Sequence, residues 1–70
     1  MTTAQTASLT FEVLRADRFA QATKRAADVV ARIYGEDHAK TEFARGLAAR
    51  AAAKKNRLEL ILEHREASLA

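Results

Sequence analysis

Seventy residues with twelve Lys and Arg against nine Asp and Glu make one small domain of net charge +3, without proline or cysteine. That excludes a disulfide framework and a thiolate metal site, and a chain this short draws only about 3–5 kcal/mol from a lone core, so a partner is expected. No apolar run approaches the ~18 residues that span a bilayer, and MTTAQTASLT lacks the basic start and apolar stretch of a signal peptide. A cytoplasmic protein with no membrane contact is the expectation.

Residues 1–8 are small and polar after Met1, with no periodicity, and read as a disordered tail. Thr10 is placed to cap a first helix over 10–34, its hydroxyl reaching the free N–H groups of the next turn. Leu9 before it and Leu14 after it fit a hydrophobic staple.

Val13, Ala16, Ala20, Thr23, Ala27, Val30 and Tyr34 then follow at spacings of 3 and 4, the seam of a helix packed against another. Phe19, Ala22, Ala26, Val29 and Ile33 repeat the pattern one position earlier. The apolar face is therefore wider than one neighbour needs. Among the polar positions, Asp28 and Arg32 are ordered for an i,i+4 ion pair.

Gly35 stands where a left-handed residue ends a helix, and Asp37 can cap the next one. A turn over 35–37 between long helices leaves too little chain to carry the second away, so the expected fold is all-α, an antiparallel helical hairpin over 9–70. The second helix, 38–68, is rich in Ala, Leu, Arg, Lys and Glu. Its middle carries Arg45, Arg50, Lys54, Lys55 and Arg57 with no acid between Phe43 and Arg57, and its end gathers Leu58, Leu60, Ile61 and Leu62.

Folding at Gly35 sets residue i opposite roughly 71 − i. Small residues of the first helix then meet Gly46, Ala48, Ala49, Ala51, Ala52 and Ala53, and Phe11, Val13 and Leu14 meet Leu58, Leu60 and Ile61. Residues beyond about 62 are expected to overhang uncovered. Gly46 costs roughly 1 kcal/mol against alanine within a helix, so a close approach by another helix is expected there. The polar run Lys54-Lys55-Asn56-Arg57 offers an alternative turn and a third helix, but the helix propensity of Lys and Arg and the absence of Gly or Pro favour continuity.

Leu58, Leu60, Ile61 and Leu62 spread over more than half of a helix circumference, which one neighbour cannot cover. Pairing two hairpins into a four-helix bundle answers this and the double seam together. The expected homodimer interface is Phe19, Val29, Ile33, Leu47, Leu58, Ile61 and Leu62.

Catalysis finds no carrier. His38 and His64 stand in no metal-ligand spacing, no cysteine is present, and the glycines are not arranged to cradle phosphate. The chain is read as a non-enzyme without metal or cofactor. Tyr34, beside the turn, can close the hairpin core or anchor an interface. It joins Arg45, Arg50, Lys54, Lys55 and Arg57 as a candidate partner-binding residue.

In length and in its TFEVLRADRFAQATKRAADVVARIYG and EDHAKTEFARGLAARAAAKKNRLELILEH helices, the chain resembles small phage-encoded helical proteins that inhibit host regulators, anti-quorum-sensing inhibitors among them. The resemblance implies a module that occupies a surface on a regulator or ATPase to inhibit or tether it. The alternative is a nucleic-acid binder laying the 43–57 patch along phosphates, in which Arg50, Lys54 and Arg57 share a face while Arg45 and Lys55 point elsewhere.

Overall fold

The computed structural model describes residues 3–69, with side chains described for 5–68. Two helices, α1 (Thr3–Tyr34) and α2 (Ala39–Leu69), fold back on each other into a rod measuring 48 × 14 × 13 Å. The described chain is an all-α hairpin, and α2 runs unbroken through Lys54-Lys55-Asn56-Arg57. The third helix is thereby excluded: Lys and Arg lose little rotamer freedom in a helix, and the half-buried stem of Lys55 covers apolar surface while its amine stays wet.

The turn is built from Gly35 outward. Its φ of 94° lies in the left-handed region, and its N–H donates to the Ala31 carbonyl at 2.8 Å, which closes α1. His38, not Asp37, caps α2. Its Nδ1 accepts the Lys40 N–H at 3.1 Å, satisfying one of the free donors of the first turn, and its carbonyl accepts the Glu42 N–H at 3.1 Å as the first bond of the helix ladder. Thr41, fully buried, donates its hydroxyl to the Gly35 carbonyl at 2.6 Å and ties the start of α2 to the end of α1.

Both helices pack through one seam at spacings of 3 and 4. On α1 it runs Thr6, Leu9, Val13, Ala16, Ala20, Thr23, Ala27, Val30; on α2 it runs Thr41, Ala44, Ala48, Ala51, Lys55, Leu58, Leu62, Arg65. All of these are buried or half-buried, and only Leu9, Ala27, Thr41 and Ala51 are buried outright. The seam is narrow and its waist is alanine. Thr23 satisfies its hydroxyl within α1, donating to the Phe19 and Ala20 carbonyls at 3.0 and 2.9 Å.

Several expectations fail for one reason, the early start of α1 at Thr3. Thr10 lies inside the helix and donates back to the Thr6 carbonyl at 3.0 Å, so it caps nothing. Leu9 is a seam residue with 6% exposure, not half of a staple with Leu14, which is exposed. Residues 3–8 are helical rather than a disordered tail; Met1 and Thr2 lie outside the described residues. The extra turns of α1 also cover the end of α2, so Leu62 and Arg65 are half-buried and the expected overhang is absent. Cross-helix pairs Asp28–Arg45 and Asp17–Lys55 set the register one or two residues beyond the expected one. Phe11, Leu14 and Leu60 lie off the seam on the helix wheel and are exposed, as are Ala49, Ala52 and Ala53.

Candidate functional site: an apolar and basic side

Each seam residue has a neighbour one position before it and one position after it. In an antiparallel pair, the residues before the seam on both helices line one broad side of the hairpin, and those after it line the other. The two sides differ in chemistry.

The side after the seam holds the charges that bind the hairpin to itself. Arg45 bridges Asp28 at 2.6 Å and Glu36 at 3.0 Å, and Lys55, reaching out from the seam, lies 3.7 Å from Asp17 and 3.3 Å from Glu59. The two hydrogen bonds, to Asp28 first and Glu36 second, raise the Arg45 pKa above its ordinary value. Asp28 thus turns across to α2 instead of pairing with Arg32 along its own helix. Gln21 donates to Asp17 at 2.9 Å and completes this polar surface.

The side before the seam is apolar and basic. α1 presents Phe19, Ala22, Ala26, Val29 and Ile33, all exposed, with Phe19 at 63% and Ile33 at 68%. α2 answers with Phe43, Leu47 and Ile61, at 66%, 42% and 44%. Between them stand Arg50, Lys54 and Arg57 on α2 and Arg15 on α1, with Lys40 at the turn; Glu12 is the one acid in the same positions. Among the described residues, none of Arg15, Arg50, Lys54 or Arg57 makes an ion pair.

The middle of this side is a groove of roughly 850 Å³ between the helices. Its floor is Ala16, Phe19, Leu47, Ala51 and Leu58. Its rim is Arg15, Arg18, Arg50 and Lys54 against Glu12. A shallower depression on the opposite side is floored by Ala20, Ala48, Ala49 and Ala52 and edged by Asp17, Gln21, Lys24, Lys55 and Asn56, without a large apolar side chain.

The candidate residues therefore divide. Phe19, Val29, Ile33, Leu47 and Ile61 share the apolar side, whereas Leu58 and Leu62 belong to the seam between α1 and α2. Arg50, Lys54 and Arg57 lie with the apolar residues, while Arg45 and Lys55 are held in ion pairs away from them. Tyr34 neither enters the core nor stands free. Its ring lies 4.8 Å from that of His38 and beneath the Lys40 ammonium at 4.5 Å, which packs it over the turn.

Gly46 has no helix pressed against it, since a Cβ there would meet only the far end of Arg50 at 3.9 Å. The close approach expected from its presence is not made within the hairpin. Sequence reading sets Val29, Val30 and Ile33 opposite Phe43 near the turn but leaves Phe43 out of the outer apolar face, and it misses Arg15 and Arg18 as the rim. Carrying the one-position-earlier pattern of α1 onto α2 would have found Phe43.

Among the described residues, no three His, Cys, Asp or Glu side chains gather to hold a metal ion, and no helix is long and apolar enough to cross a membrane. Compared with known proteins, the chain matches no family model, no curated sequence and no solved structure.

Proposed function

We propose that the protein is a non-enzymatic protein-binding module that inhibits or tethers a regulator or ATPase through the apolar and basic side of its hairpin. The observation that supports this reading is the division of the surface. On one side Arg45 and Lys55 are taken up in Asp28–Arg45–Glu36 and Asp17–Lys55–Glu59, while the other side leaves Phe19, Ile33, Phe43, Leu47 and Ile61 in water beside Arg15, Arg50, Lys54 and Arg57, which make no ion pair among the described residues. Large apolar side chains grouped in this way mark a surface that another protein covers.

Nucleic-acid binding is the second reading, favoured by the shared face of Arg50, Lys54 and Arg57. It gives no use to the leucine and phenylalanines between those cations, and it loses Arg45 and Lys55 to ion pairs. The test is capture from a cell lysate on the immobilised protein, with and without nuclease, beside the Arg50→Gln, Lys54→Gln, Arg57→Gln variant. Retention of the same proteins after nuclease supports the module. Loss of all of them, with duplex binding whose salt slope falls by roughly 0.9 per neutralised contact in the variant, supports the nucleic-acid reading instead.

A further inference from the structure

We infer that the occupant of the apolar groove is an acidic amphipathic helix of the partner protein, with an apolar stripe flanked by Asp and Glu, laid along the hairpin as a third helix. The inference deepens the proposed function and rests on it.

Shape fixes the kind of element. From Phe43 to Ile61 the exposed apolar side chains of α2 extend over about 27 Å at 1.5 Å per residue, which matches a helix of about five turns. An extended strand is a poor fit: both walls are helices whose backbone groups are already bonded internally, so its own N–H and C=O groups would be buried without partners. A helix arrives with its backbone satisfied. Its apolar residues can seat on Phe19, Leu47 and Leu58 at the spacing the hairpin already uses.

Charge fixes the flanks. Arg15, Arg18, Arg50 and Lys54 rim the groove against Glu12, and Arg57 continues the line. A carboxylate-bearing helix brings each of these cations a counter-ion at the moment of docking. A second copy of this chain does the reverse, because an isologous contact places the same basic rim on both sides with only Glu12 to offset it. The structure also removes part of the sequence argument for a second copy, since Leu58 and Leu62 are used inside the hairpin and Arg65 is half-buried against it.

The test uses three labelled synthetic helical peptides and the full chain, read by fluorescence anisotropy. One peptide carries leucines at spacings of 3 and 4 flanked by glutamates, the second replaces the glutamates by lysines, and the third keeps the glutamates with the leucine stripe scrambled. We expect the first to bind and both others to bind at least about tenfold more weakly, a difference of about 1.4 kcal/mol, the lysine peptide because like charges face each other and the scrambled peptide because its leucines no longer form one stripe. In the Arg50→Glu, Lys54→Glu, Arg57→Glu variant, whose circular dichroism should be unchanged because these side chains are exposed, the preference should reverse toward the lysine peptide. Equal binding of the first two peptides, or sedimentation showing a dimer that the glutamate peptide does not dissociate, would overturn the inference. A lysate protein whose retention needs Phe19 and Leu47, yet is not displaced by the glutamate peptide, would overturn it while leaving the module reading in place.

Discussion

Gly35 and Gly46 show what a single residue can and cannot reveal. At Gly35 the chain must adopt a φ of 94°, which L side chains reach only with strain, and this is the position that the sequence marks plainly as a helix end. Gly46 carries the same residue type without the same need, since its backbone is helical and the space for a Cβ is open. Gly46→Ala should therefore raise stability by roughly 0.5–1 kcal/mol through helix propensity, whereas Gly35→Ala should lower it by about 1–2 kcal/mol. Urea unfolding of the two variants beside the parent protein gives both signs; a destabilised Gly46→Ala would mean that something packs against that position in solution. The cap at His38 could not be read in the same way. Histidine is an unfavoured cap type beside Asp37, and its selection depends on Thr41 fastening the turn through the Gly35 carbonyl.

Each helix was legible through its spacing, and where the reading stopped short the spacing had been followed too briefly. The α1 seam from Val13 to Val30 stands as read, and two further steps of 4 and 3 back along the chain reach Leu9, which is buried, and Thr6, which is half-buried. Polar composition argued for a tail there; packing against Leu62 and Arg65 outweighs it, because tertiary cover supplies most of the stability of a helix end. Leu9→Ala should accordingly cost about 2–3 kcal/mol and fray the first turns of α1. Amide hydrogen exchange reports this directly, and unchanged protection over residues 5–10 in the variant would contradict the packing described. On α2 the basic run from Lys54 to Arg57 concealed the seam, because Lys55 occupies a core position by its stem alone.

At the scale of the whole molecule, two helices and an alanine waist leave few fully buried residues, and the hairpin is held by a thin seam between two unlike sides. The hairpin itself and the apolar excess on α1 were legible in the sequence. The sorting of cations was legible only in part: the helix wheel separates Arg50, Lys54 and Arg57 from Arg45 and Lys55, and Glu59 stands four residues after Lys55, but the acids that take up Arg45 lie 9 and 17 residues away and the second acid beside Lys55, Asp17, lies across the hairpin. Register decides those pairs, and register depends on the turn. The consequence for function is a molecule with one surface committed to its own fold and one left open.

The claim that the open surface is the working one is tested most directly by capturing lysate proteins, after nuclease treatment, on two matched variants whose helicity is verified by circular dichroism. Phe19→Ser with Leu47→Ser removes apolar contact from the side before the seam, and Gln21→Ser with Ala49→Ser alters the side after it, all at exposed positions. Truncating apolar anchors should abolish retention, while the opposite pair should leave it at the level of the parent protein. Retention that survives Phe19→Ser, Leu47→Ser and is lost with Gln21→Ser, Ala49→Ser would contradict the account.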